Sequence, residues 1–269
     1  MHPIERLRMV ARAGRQEPTM LAREAASALG TFAAEPAALV TACRRLVDRQ
    51  PTCGPVWWVA ARVLAAADPA REAWQAGHDL ATDPTASVLA DALPDEAKVV
   101  VLGWPEQIAD ALLRRGDVEA RVVDCFAEGG DLARWLRRSG SDAEIVPEAG
   151  TGAAVAASDL VLLEAVALGP TGFVATGGSA AAAAAGRLLG VPVWVVAAEG
   201  RVLPESLWTA LTARLCARAQ PWSQDEEIVP LAWADAVAGP TGGILDPDAA
   251  AARPTCPPAP ELERQPPRG

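Results

Sequence analysis

From Lys98 onward the sequence repeats one unit, a short run of Val, Leu and Ile followed by a helical stretch. "KVVVLG" precedes "PEQIADALLRRG", "EARVVDC" precedes "GGDLARWLRRSG", and "AEIVPE" precedes "GAAVAAS". "LVLLEAVAL" and "GFVAT" lead into an alanine-rich stretch from Ser179 to Leu189, and "VPVWVVAA" into "PESLWTALTARLCARA". Apolar runs of this kind suit strands covered on both faces, and parallel strands need helical crossovers to join them. The pattern therefore predicts an α/β fold with a doubly wound, mostly parallel sheet over residues 96–220, joined by right-handed crossovers.

Residues 1–95 read differently. "EPTMLAREAASALGTF", "EPAALVTACRRLVDRQ" and "PVWWVAARVLAAADPAREAWQAG" carry apolar residues at three- and four-residue spacing, with Pro at their starts. A helical N-terminal domain is expected. Trp57 and Trp58 are adjacent and point about 100° apart on a helix, so their helix must be covered on more than one side. Residues 221–269 carry "DEEIVPLAWADAVAGPTGG" and then a proline-rich, polar run. The expectation there is an arm packed through Leu231 and Trp233, followed by a flexible tail.

Charge and side-chain chemistry narrow the function. The net charge is −10, Lys98 is the only lysine, and the chain has two histidines and five cysteines with no CxxC. Nucleic acid selects for clustered basic residues, so it is not an expected partner. Neither histidine lies near a cysteine, so no metal site is expected. Five widely spaced cysteines suit reduced thiols in a cytoplasmic protein. The charged N-terminus lacks the apolar core of a signal peptide, and no apolar run is long enough to span a membrane. Nucleophilic-elbow and Walker A patterns are absent. "AGTGAAVA" follows the third strand and has Val155 where a dinucleotide fingerprint needs glycine. No cofactor is expected.

Ligands of open α/β sheets sit at the carboxyl ends of the strands. That rule selects Gly103-Trp104-Pro105, Asp124 and Cys125, Glu148, Glu164, Thr176 to Ser179, and Glu199-Gly200-Arg201. The Gly177-Gly178-Ser179 turn has the chemistry of an anion site, because glycines admit close approach and the following helix presents free N–H groups. The same residues equally serve as a tight turn with a cap. Glu164 interrupts an apolar strand where partial desolvation would suit a general acid or base. Alternatively it is a strand-end glutamate paired with an arginine such as Arg201. Cys125 has no neighbouring base and reads as a buried thiol.

The stretch "DLVLLEAVALGPTGFVATGGSAAAAAAGRLLGVPVWVVA" resembles the family of translation initiation factor 2B alpha, beta and delta subunits. That family includes the methylthioribose-1-phosphate and ribose-1,5-bisphosphate isomerases. "EAVAL" (Glu164 to Leu168) falls on the family's Gly-Ala-Asp-Ala-Ile, "GGS" on its Ile-Gly-Thr, and "GVPVWVV" on its Gly-Ile-Pro-Val strand. The resemblance implies a Rossmann-like sheet of the NagB/RpiA/CoA-transferase-like kind and dimerisation, with the alanine helix, Trp194 and Trp208 as candidate faces. It also exposes losses. Trp104 falls near the isomerases' catalytic cysteine, Val166 on their catalytic aspartate and Thr176 on their lysine. "DCFAEGG" lacks the arginine and proline of their phosphate-binding segment. Each such contribution is worth about 10² to 10⁴ in rate.

The resemblance and the losses together give the leading expectation, a non-catalytic, initiation factor 2B-like regulatory or ligand-sensing protein. It would act as a homo-oligomer, with Gly177, Gly178, Ser179, Glu164 and Arg201 around a phosphorylated small molecule and the proline-rich tail open to a protein partner. The competing expectation is a sugar-phosphate isomerase with a rearranged site. In that case Glu164 acts as acid or base, the glycine turn holds phosphate and Arg201 supplies the missing charge. The surroundings of Glu164 discriminate between the two.

Overall fold

The computed structural model describes residues 17–217 and 220–264. The stretch 1–16, read above as no signal peptide, and the end of the tail, 265–269, lie outside the described residues. The N-terminal part forms α1 (Pro18–Gly30), α2 (Pro36–Arg49), α3 (Gly54–Ala65), α4 (Pro69–Ala81) and α5 (Thr85–Ala92). Proline stands in the first turn of the first four of these, where its missing N–H costs nothing. The third helical stretch of the sequence breaks in two at Asp68-Pro69. Asp68 accepts from the Arg71 N–H and caps the new helix α4. Trp57 and Trp58 are both fully buried in α3, as their adjacency required. Their indole N–H groups donate to the Pro51 carbonyl and to Thr255 Oγ1.

The α/β part runs β1 (Lys98–Leu102), α6 (Glu106–Arg114), β2 (Glu119–Val123), α7 (Gly129–Arg138), β3 (Ala143–Val146), α8 (Thr151–Ala156) and β4 (Leu160–Glu164). It continues with β5 (Ala167–Gly169), β6 (Gly172–Thr176), α9 (Ser179–Leu189), β7 (Val193–Val196) and α10 (Glu205–Cys216). The remaining elements are β8 (Glu226–Pro230), β9 (Ala236–Ala238), β10 (Ile244–Leu245), α11 (Pro247–Ala251) and α12 (Pro260–Glu263). The main sheet has seven strands in the order β10-β9-β7-β4-β1-β2-β3. All its pairings are parallel except the antiparallel edge pair of β9 and β10. The order turns at β1, which pairs with β2 on one side and β4 on the other. The expected α/β, doubly wound, mostly parallel architecture is therefore present. A crevice at such a reversal is where ligands of this architecture bind.

Two segments depart from the sequence reading. "LVLLEAVAL" is not one strand: the main sheet keeps Leu160–Glu164, and Ala167–Gly169 turns away to pair antiparallel with β6 in a second, three-stranded sheet, β5-β6-β8. The segment after Gln220 is not only an arm and flexible tail. It supplies β8 to the small sheet and β9 and β10 to the main one. Beyond them, Cys256, Ala259 and Leu262 are buried against the N-terminal helices and α10. Arg44 and Arg214 donate to the carbonyls of Glu261 and Leu262, fixing the backbone there. Burying a leucine side chain contributes about 1.5–3 kcal/mol toward the cost of ordering this stretch. No helix among the described residues is long and apolar enough to cross a membrane.

Candidate functional site

The carboxyl ends of β1 and β4 open into a cavity of about 350 Å³. Its walls come from the α1 N-terminus (Glu17, Pro18), the turn after β1 (Trp104, Pro105, Glu106), the end of β4 (Leu163, Glu164), Val166, Thr176, Ser179, Arg201 and Glu226. Leu102, Glu128 and Leu162 complete the lining. The N-terminal helical region thus covers part of the crevice as well as packing beside it.

At its base, Glu164 Oε1 lies 2.7 Å from Arg201 Nη1. Glu164 Oε2 accepts from the backbone N–H groups of Gln107 and Ile108, at 2.8 and 3.3 Å, in the first turn of α6. Both oxygens of the carboxylate are therefore engaged, one by a guanidinium and one by the positive end of a helix. Arg201 is fully buried. Its backbone is fixed by β5, since the Leu168 N–H donates to the Arg201 carbonyl at 2.7 Å. Its Nη1 also donates to the Ala165 carbonyl at 2.8 Å. Burial works against the guanidinium's charge, but Glu164, by its charge and its hydrogen bond, leads the contributions that more than offset it and raise its pKa. Its Nε and Nη2 are buried without a hydrogen-bond partner.

Glu106 is the residue that sequence reasoning missed. It stands in the first turn of α6, directly after the Trp104-Pro105 turn. Its Oε2 accepts from Thr19 Oγ1 at 3.2 Å and lies 3.8 Å from Arg201 Nη2. The Glu17 carboxyl approaches it from just before α1. Burial first, then Glu17 and the charge of Glu164, push it up to about 9 against the pull of Arg201. At neutral pH the neutral form of Glu106 is therefore favoured. A carboxylate directly behind the first strand end was a readable signal. The approach of Glu17 from the far end of the chain was not.

The structure brings the expected residues Glu164, Arg201 and Ser179 to one cavity, together with Trp104, Val166 and Thr176. Trp104 lines the space without filling it. Its ring centroid lies 5.7 Å from that of Trp135, and the side chain stays 42% exposed. Val166 lies beyond the end of β4 at Glu164, yet both residues line the cavity.

At the glycine turn, Gly178 takes the left-handed conformation (φ 97°) that starts α9, and Ser179 is buried. The N–H groups of Gly177 and Ala180 are already taken by the Asp225 carbonyl and, at 2.9 Å, by Glu227 Oε1. Cys125 is buried outside the cavity lining, and Asp124 accepts from the Gly130 N–H. Trp208, named above as a candidate dimer face, is buried against Gly169 within the chain, with its Nε1 donating to Thr171 Oγ1.

No family model matches the sequence, and no curated protein is similar to it at the level of sequence. Solved structures are similar in fold. Translation initiation factor eIF-2B from Pyrococcus horikoshii OT3 superposes with a TM-score of 0.76 at 15% identity, covering 93% of this chain and 98% of that one. The tetrameric eIF2B-beta2-delta2 complex from C. thermophilum gives a TM-score of 0.70 at 14% identity over 93% and 92% of the two chains. The 5-methylthioribose 1-phosphate isomerase of P. horikoshii OT3 gives 0.62 at 12% identity over 93% and 86%. At these identities the likeness is one of fold. The fold of those initiation factor subunits and that isomerase extends over nearly the whole chain.

Proposed function

We propose that this protein is a divergent member of the initiation factor 2B alpha, beta and delta family that senses a small molecule and has lost the isomerase chemistry. The observation that carries this reading is the pair Trp104 and Val166. They occupy the positions on which the resemblance places the isomerases' catalytic cysteine and aspartate, and both line the cavity. Neither side chain exchanges a proton or attacks a carbonyl. Glu164, the nearest replacement acid, has both oxygens bound by Arg201 and by α6. The space itself remains, and that supports ligand binding without turnover. The eIF2B beta and delta chains assemble into a tetramer, which supports a homo-oligomer here.

The test is turnover. The protein is incubated with methylthioribose 1-phosphate and with ribose 1,5-bisphosphate, and the sugar carbon signals are followed by NMR. We expect no isomerisation. Conversion of either compound, abolished by a Glu164 or Glu106 substitution, would overturn the reading. One observation favours the competing enzyme, namely the protonated Glu106 carboxyl beside a guanidinium, an arrangement able to act as a general acid. Light scattering after gel filtration tests the oligomer, with a strictly monomeric mass counting against it.

A further inference from the structure

Two cavities share one turn. Glu199-Gly200-Arg201 follows β7; its last residue lines the β1/β4 cavity, and its first lines a second cavity of about 690 Å³. Gly200, between them, takes a left-handed conformation (φ 76°), and a Cβ there would stand 3.1 Å from Trp58 Cδ2. The turn therefore lies against the indole without room for a side chain. The Glu199 N–H donates to Asp83 Oδ2 at 2.8 Å and the Leu168 N–H to the Arg201 carbonyl at 2.7 Å. With consecutive α-carbons only about 3.8 Å apart, a displacement at one end of so short a turn is passed to the other.

The second cavity is walled in part by the chain's own C-terminal segment. Thr255 lines it, donates to Glu199 Oε1 at 3.1 Å and accepts from the Trp58 indole N–H at 2.8 Å. Residues 252–259 form no helix or strand, and prolines at 254, 257, 258 and 260 remove backbone donors. The segment is held by three buried side chains, Cys256, Ala259 and Leu262, and by Arg44 and Arg214 on the carbonyls of Glu261 and Leu262. A segment with so few buried contacts opens locally before the fold as a whole.

Accepting that the β1/β4 cavity is a ligand-sensing site, we propose that residues 255–263 are its output, a strap coupled to the cavity through Glu199-Gly200-Arg201 and released when Arg201 moves. Arg201 has a reason to move. Among the described residues its buried Nε and Nη2 lack a hydrogen-bond partner, a cost that an acceptor brought into the cavity relieves. Drawing the guanidinium toward that acceptor shifts the turn, parts Glu199 from Thr255 and frees the strap. Release bares the faces of α2 and α10 on which α12 packs. The coupling is reciprocal, so a held strap opposes ligand binding by the same factor.

Cys256, buried and next to Thr255, reports the strap in the full chain. Its disulfide exchange with an aromatic disulfide reagent is followed at pH 8 by mass spectrometry, with Cys43 and Cys53 reporting any opening of the whole molecule. E164Q, which frees the guanidinium, should speed labelling of Cys256 about tenfold ahead of the other two, within the usual range for coupled sites. G200A, whose Cβ pushes the turn off Trp58, should do the same without breaking the ion pair. T255V cuts the tie between turn and strap, so adding E164Q to it should bring no further gain. W104F alters the same cavity away from the turn and should leave Cys256 slow. Three outcomes would each overturn the proposal: Cys256 as slow in E164Q and G200A as in the native chain, all three thiols reacting at one common rate in both variants, or an undiminished effect of E164Q in T255V. The labelling needs no ligand, so its failure leaves ligand sensing intact, and the turnover assay above judges the non-catalytic reading separately.

Discussion

Glu164 and Arg201, 37 residues apart in sequence, form an ion pair of 2.7 Å in which the guanidinium is wholly buried. The pair joins the end of a main-sheet strand to the loop after β7. Through the α6 amides and the Ala165 carbonyl it also fixes the wall and floor of the cavity. A charge buried in this way is tolerable only with its partner in place.

Breaking the pair from one side should therefore be severe. E164Q and R201M are each expected to lower unfolding free energy by about 3–5 kcal/mol in urea titrations. Replacing both together should cost clearly less than the sum of the two single changes. Additive losses would show that the pair contributes nothing as a pair.

Glu106 makes stability fall with rising pH. Its carboxyl moves from an ordinary value of 4.5 up to about 9 in the folded protein, because burial and Glu17 favour the neutral form. A raised carboxyl value means the folded state binds the proton more tightly. The associated stability is fully present below about pH 4.5 and is lost as pH rises through about 9, at no more than about 1.4 kcal/mol per pH unit. Glu199, raised first by its own burial, acts in the same direction. Thermal midpoints should decline from pH 5 to pH 9, and E106Q should flatten much of that slope. An unchanged slope in E106Q would remove Glu106 as its source.

The thiols should divide sharply. Burial pushes Cys43, Cys53 and Cys256 each up to about 12, whereas Cys216 is exposed at the end of α10. The thiolate is the reactive form. In the native protein at pH 8, a disulfide-exchange reagent should label Cys216 quickly and those three only after denaturation. Fast native labelling of Cys256 would show that the segment carrying it is not packed as described.

Gly169 is the tightest point of the small sheet. A Cβ there would stand 2.2 Å from Trp208 Cγ, inside any allowed contact. Gly169→Ala must push Trp208 off Thr171 or move β5, and should cost the upper end of the roughly 1–3 kcal/mol seen for overpacked cores, or more. Near-ultraviolet circular dichroism should report the displaced indole. A silent variant would mean that the β5–α10 contact is loose.

Part of this molecule was legible residue by residue. Apolar runs such as "KVVVLG" and "VPVWVVAA" are long enough for burial on both faces to leave a pattern, and the helices between them forced a parallel sheet. The prolines at 18, 36 and 69 marked helix starts because that position asks for no N–H. β9 and β10 were not legible, since strands of three and two residues carry no period, and "ADAVAG" becomes a strand only because β7 offers an edge beside it. The break after Glu164 was hidden as well. An uninterrupted apolar run looks alike whether or not it changes sheets.

The candidate site divides along the same line. Glu164, Ser179 and Arg201 could be named from the sequence because strand ends converge in a doubly wound sheet, a consequence of connectivity alone. The sequence also gives Trp104 and Val166 where the resemblance places the isomerases' cysteine and aspartate, and neither can act as thiol or acid in any fold. Only the tertiary structure decided what the carboxylates do. Burial and distance assign Glu164 to Arg201, favour the neutral form of Glu106, and place Glu227 on the start of α9. Desolvation and pairwise charge depend on separations of a few ångströms between residues far apart in the chain, and no spacing along the sequence encodes them.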